Sequence, residues 1–226
     1  MTSRTGCVVG RGLRAVAAAA ALLALAGCSA EGVSGGDSPV ANVSVHDSDN
    51  LNGSVLPKPY VVPNVPLDGS DGRPYDLATA ATKPLTLVFF GYTHCPDVCQ
   101  VVMANIASAM TRLDASEKSR VAMVFVTTDP ARDDVQTLHD YVRRFDPTFT
   151  GATGPLPEIK RLATALGVPI EKGTKLASGG YDVAHGTQVL GVVPGRRAPY
   201  VWTEGTDPSA LAQDIRTILA KKVRSS

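Results

Sequence analysis

The chain has 226 residues, 44% of them hydrophobic and 19% charged, and its 22 Lys+Arg against 21 Asp+Glu leave a formal net charge of +1. That apolar share supports a packed domain and excludes a disordered or fibrous chain. Near-balanced charge without a basic tract excludes nucleic acid and an anionic membrane surface as charge-driven partners.

The first 27 residues read as a secretion address. Arg4, Arg11 and Arg14 make a positive opening with no acidic residue, and Ala15 to Ala26 is unbroken apolar sequence, too short to span a bilayer comfortably. The stretch ends in Leu25-Ala26-Gly27-Cys28, which resembles the lipobox of bacterial lipoproteins. The resemblance implies cleavage before Cys28, a lipid on its sulfur, and attachment to the extracytoplasmic face of the cell membrane. An ordinary secretory signal with a chance cysteine would equally place the domain outside the cytoplasm. Cys7 leaves with the signal and a lipidated Cys28 offers no thiol, so of four cysteines Cys95 and Cys99 remain. Loss of the three arginines lowers Lys+Arg from 22 to 19 against 21 acidic residues, a net charge of −2. Residues 28–55 are rich in Gly, Ser, Asp and Asn without a sustained period, and read as a flexible tether. His46, beside Asp47, reads as a solvated tether histidine rather than a metal ligand, since no other ligand type clusters with it.

Residues 56–226 make one domain of ordinary size, with no repeat. Its opening is broken by prolines and by Asp71-Gly72, a tight-turn dipeptide, which predicts an N-terminal hairpin or edge ribbon. Leu85 to Phe90 is a short apolar run bounded by Pro84 and Gly91, and reads as a central strand covered on both faces. A helix is expected from Pro96 to Leu113, with Pro96 at its first position and Asp97 in its first turn. Val121 to Thr127 reads as a second buried strand, and Asp133 to Phe145 and Leu156 to Leu166 as amphipathic helices. Gly173 to Gly186 is polar and glycine-rich and reads as a loop. Gln188 to Val193 and Ala198 to Trp202 flank Pro194-Gly195 as a strand pair, and Asp207 to Val223 reads as a closing helix.

Strands alternating with helices around a sheet argue an α/β domain. A cysteine pair at a strand-to-helix junction narrows it to a thioredoxin-like arrangement, a central mixed sheet flanked by helices. Cys95 and Cys99 are separated by three residues, where thioredoxins have two. On one helix, residues i and i+4 share a face at the positive end, where thiolates are favoured. Their alpha carbons would be roughly 6 Å apart, which permits a disulfide and equally permits two thiolates to grip one soft metal ion. Two cysteines are too few for a closed structural zinc site. A plain structural disulfide would staple little chain at this spacing.

The stretch Phe89 to Cys99, FFGYTHCPDVC, is very similar to the signature of the SCO/SenC family, copper-binding thioredoxin-fold proteins that help to assemble the dinuclear copper centre of cytochrome c oxidase. VFVTTDPARDDVQTLHDYVRRF resembles the family's strand, Asp-Pro-x-Arg-Asp turn and helix, and YDVAHGTQVLGV resembles its loop with the third copper ligand. The resemblance runs from about Tyr60 to the last helix. It implies that Cys95, Cys99 and His185 bind one copper ion, as copper(I) or copper(II), and that the recipient is the copper-bearing oxidase subunit. Where the family commonly has Asp-His-Ser, this chain has Ala184-His185-Gly186, so the carboxylate that orients a metal-bound imidazole is missing from its usual place. Asp182 is the carboxylate left in that segment, and Gln100 stands where the family often has proline.

The rival reading is a thiol–disulfide reductase that keeps oxidase cysteines reduced, with Cys95 attacking, Cys99 resolving and a thiol reductant resetting the pair. It needs no His185. A copper or redox sensor would carry the same motif. A peroxiredoxin-like peroxidase fits less well, because the Pro-x-x-x-Thr-x-x-Cys pattern is absent before Cys95. His94 reads as an exposed loop residue pointing away from the site, although a polar histidine beside a thiol also favours its ionisation. His139 falls on a solvated helix face; Met103, Met110 and Met123 read as core, and Asp129, Arg132 and Asp133 as a turn and helix cap.

Overall fold

The computed structural model describes residues 50–175 and 181–223. The signal segment, Cys28 and His46 lie outside the described residues. The elements in chain order are β1 (Ser54–Val61), β2 (Leu67–Gly69), β3 (Pro74–Tyr75), α1 (Leu77–Ala80), β4 (Leu85–Gly91), α2 (Val98–Thr111), α3 (Ala115–Ser119) and β5 (Val121–Thr127). They continue as α4 (Val135–Arg143), β6 (Thr150–Thr153), α5 (Leu156–Ala165), β7 (Ile170–Lys175), β8 (Tyr181–His185), β9 (Val189–Val193), β10 (Arg197–Trp202) and α6 (Pro208–Val223).

Eight strands form one mixed sheet in the order β1-β10-β9-β4-β5-β6-β2-β3. β4, β5 and β6 run parallel, β9 pairs antiparallel with β4, and β10 pairs antiparallel with β9. β4 is interior and every residue in it is buried. Leu85, Leu87 and Phe89 face a core shared with α2, α4 and α6, while Val88 and Phe90 face a second core containing Leu77 of α1 and Ile159 and Leu162 of α5. This is why the strand reads as a continuous apolar run: its side chains alternate, yet both faces are covered. The α/β thioredoxin-like arrangement expected from the sequence is the one observed.

Several local expectations change. The predicted ribbon divides: β1 crosses to pair with β10 at one edge, and β2 and β3 form the hairpin around Gly72 at the other. Gly72 has φ +78°, a conformation that a glycine adopts without a Cβ penalty. β6, sequence TGAT, lacks a branched apolar run and was not predicted; its pairing with β5 makes it a strand. The segment expected to be a loop from Gly173 to Gly186 contributes to a two-stranded hairpin of β7 and β8, separate from the main sheet. Backbone pairing, which carries no side-chain period, holds that hairpin together. Finally, α2 begins at Val98, with Asp97 as its N-cap, so Cys95 and Pro96 precede the helix.

Candidate metal centre

β4 delivers the chain to the site through Gly91. A Cβ built on Gly91 would stand 2.9 Å from the Phe125 ring and 3.1 Å from Cys99 Sγ, so only glycine leaves room for that sulfur over the strand end. Tyr92 is buried, Thr93 and His94 form a turn, and the Cys95 amide donates to the Tyr92 carbonyl at 3.2 Å. The turn is tied down by Asp133, which has no exposed surface. Its carboxylate accepts from Thr93 N at 3.0 Å, Thr93 Oγ1 at 2.6 Å and Thr127 Oγ1 at 2.7 Å. Asp133 is thus an anchor rather than the helix cap expected from the sequence; Asp134 caps α4.

The two cysteines do not share a helix face as expected. Cys99 lies in the first turn of α2, and its backbone amide donates to Cys95 Sγ at 3.4 Å from the loop before the helix. The first amides of a helix have no partner within it, and here a sulfur takes one. Both cysteines are free and buried, Cys95 with 5% of its surface exposed and Cys99 with none.

His185 ends β8, paired with Ile170 of β7. Its Nε2 lies 3.5 Å from Cys99 Sγ and its Nδ1 lies 2.9 Å from the Gly186 carbonyl oxygen. Phe89 and Tyr92 stand nearly perpendicular to the imidazole, with ring centroids 6.2 and 5.9 Å away. The Arg132 guanidinium, paired with Asp129, sits 5.5 Å over the Tyr92 ring. One ligand atom from each of Cys95, Cys99 and His185 lies within 4.8 Å of the others.

The thiols are electrostatically unequal. The Cys99 side chain hydrogen-bonds to Cys95 and lowers the Cys95 pKa to about 4, against the desolvation that burial imposes; His185 and the backbone amides of Asp97 and Cys99 add to the lowering. The same hydrogen bond, with burial, raises the Cys99 thiol far above its ordinary value. The metal-free pair is therefore one thiolate and one thiol. Two soft sulfurs and a neutral imidazole are the donor set that suits copper(I).

A family model described as SCO1/SenC matches residues 59–220. The chain belongs to the SCO1/SenC family. It is 32% identical over 139 residues to "Protein SCO2 homolog, mitochondrial" of Danio rerio, an alignment covering 61% of this chain and 50% of that protein. Among solved structures, the copper-bound ScoI of Arabidopsis thaliana is similar with TM-score 0.64 and 27% identity, over 74% of this chain and 99% of that one. The copper-bound ScoI of Bradyrhizobium japonicum is similar with TM-score 0.62 and 26% identity, over 69% and 98%.

In this SCO1/SenC protein the structure brings together the three residues singled out in the sequence and leaves the other described histidines outside. The His94 side chain is 55% exposed, and that of His139 on α4 is 40% exposed. Met103, Met110 and Met123 are buried core residues, as expected. Sequence reasoning missed the collar around His185: Phe89 and Tyr92 looked like ordinary core, and nothing local signals that a ring 86 residues from Cys99 would rest against them.

Proposed function

We propose that this protein is an extracytoplasmic copper carrier, tethered to the bacterial cell membrane by a lipid on Cys28, that passes copper to the dinuclear copper site of cytochrome c oxidase. The observation that carries the copper reading is the convergence of the Cys95, Cys99 and His185 ligand atoms within 4.8 Å. The likeness to copper-bound ScoI structures supports it. Cys95 is already a thiolate, His185 Nε2 faces the sulfurs, and Cys99 gives up its proton as the ion arrives. Three ligands leave one side open for a recipient's donor, which a carrier needs and a structural site avoids. The tether and the oxidase as recipient rest on the lipobox resemblance and on the family likeness.

The test is an anaerobic copper(I) titration of the reduced protein against a competing chelator, with Cys95→Ser, Cys99→Ser and His185→Ala. One tightly bound equivalent, lost in both serine variants and weakened in His185→Ala, is the expected result. Indifference to His185→Ala would refute the three-ligand site. For the anchor, Cys28→Ser is expected to release the protein from the membrane fraction.

A second reading, thiol–disulfide reduction, is favoured by the thiolate–thiol asymmetry, which suits an attacking Cys95 and a resolving Cys99. Cys95 would attack a substrate disulfide, Cys99 would displace the mixed disulfide, and an external thiol reductant would restore the pair. His185→Ala distinguishes the two, since it weakens the carrier and leaves the reductase active.

A further inference from the structure

Three residues, Gly186 to Gln188, join β8 to β9 directly after His185. Each is fastened to a different part of the domain. The Gly186 amide donates to the Pro169 carbonyl at 3.3 Å, Thr187 Oγ1 donates to Glu204 Oε2 at 2.7 Å, and Gln188 Nε2 donates to the Gly167 carbonyl at 3.0 Å. The Gly186 carbonyl oxygen in turn lies 2.9 Å from His185 Nδ1. On its own, a glycine carbonyl is a weak guide for a metal-binding ring, because a residue without a Cβ turns easily about its backbone. It orients the imidazole only if the glycine is held.

The Gln188 side chain is placed to hold it. A Cβ on Gly186 would overlap Gln188 Oε1 and stand 3.0 Å from its Cδ and 3.2 Å from its Nε2. The glutamine amide thus occupies the space that the side chain of any other residue at 186 would need. This accounts for the unusual Ala184-His185-Gly186 sequence: the usual neighbouring carboxylate is missing, and the glycine makes room for a glutamine. We propose that Gln188 is a positioning residue of the copper centre, bracing Gly186 from the Gly167 carbonyl so that the Gly186 carbonyl fixes the His185 ring. The inference rests on the copper-carrier reading. Gln188 neither binds copper nor moves a proton; it acts through the Gly186 backbone alone.

The test uses the reduced full-length protein and three readouts: the copper(I) Kd by chelator competition, the denaturation midpoint, and solvent exchange of the His185 Nδ1 proton by NMR without metal. Gln188→Ala is expected to weaken copper(I) binding about 10-fold, as loss of a ligand's supporting partner typically does. It should also quicken the Nδ1 proton exchange. The midpoint should stay near wild type, because the Gln188–Gly167 bond lies at the surface. Gly186→Ala, whose methyl displaces the flexible end of Gln188, should lose as much, and the double variant no more than either single one. In a His185→Ala background, Gln188→Ala should add nothing. Wild-type Kd and exchange in Gln188→Ala would overturn this inference alone. Losses that add in the double variant, or that persist in the His185→Ala background, would also overturn it, since Gln188 would then act by another route. A wild-type protein that binds no copper would overturn the carrier reading, while the exchange rate would still decide whether Gln188 holds the ring.

Discussion

His185 Nδ1 lies 2.9 Å from the carbonyl oxygen of Gly186, its own neighbour in the chain. A carbonyl only accepts, so Nδ1 is protonated, and Nε2 faces Cys99 Sγ at 3.5 Å. Orienting a metal-binding imidazole is commonly the work of a carboxylate, and the residue before His185 is Ala184. Here the backbone and the rings of Phe89 and Tyr92 hold the imidazole instead. We expect nitrogen-detected NMR of the reduced, metal-free protein to show a proton on His185 Nδ1. Tyr92→Ala, which removes one side of the collar, should weaken copper(I) binding about 10-fold, measured by chelator competition. An unchanged affinity would show that the carbonyl alone is sufficient.

The cysteine pair makes stability depend on pH with two signs. Cys95 titrates near 4 in the folded protein against an ordinary value of 9, so between these values the unfolded chain binds more protons and stability rises with pH. This contribution is fully present above about 9 and is lost as pH falls through about 4. Cys99 acts oppositely: its raised folded pKa means that above about 9 only the unfolded chain loses that proton, and stability falls again. Urea unfolding of the reduced protein across pH, compared with Cys95→Ser, should show the rise only in wild type. A direct check is thiolate ultraviolet absorbance, which should already be present at mildly acidic pH and be absent in Cys95→Ser.

Gly91→Ala should damage fold and site together. The added methyl would lie 2.9 Å from Phe125 and 3.1 Å from Cys99 Sγ, in a region where every residue of β4 is buried. Overpacking of this kind costs about 1–3 kcal/mol. Chemical denaturation measures that loss, and copper(I) competition should show weaker binding because the added methyl crowds Cys99 Sγ.

Asp214, fully buried on α6, ties Asn52 and Gly53, read from the sequence as the end of the tether, to the last helix. It accepts from Trp202 Nε1 at 2.8 Å, from the backbone amides of Asn52 and Gly53 at 2.9 and 2.8 Å, and from Asn52 Nδ2 at 2.8 Å. Asp214→Ala would strand several donors, each worth about 1–3 kcal/mol when left buried without a partner. We expect a loss of about 3 kcal/mol by denaturant unfolding, combining incomplete burial of the freed donors with the cost for those that stay buried. Trp202 is the only tryptophan in the chain, so its emission reports the change directly and should shift to the red.

Much of this protein was legible in the chain itself. Leu85 to Phe90 and Val121 to Thr127 announced buried strands because they are apolar on both faces, and the periods of α4 and α5 announced helices with one covered side. The cysteine pair at the end of β4 and its spacing were likewise local facts. What the tertiary structure alone decided is how distant pieces meet. The segment that holds His185 has no side-chain period, so it read as loop; paired backbones make it β7 and β8, and their hairpin carries the imidazole to Cys99. Asp133 read as a cap because its place before a helix is local, whereas its role as the anchor of Thr93 depends on β4 and β5 lying side by side. Local composition states which face of an element must be covered; which residues do the covering is settled by strand pairing and packing over the whole domain.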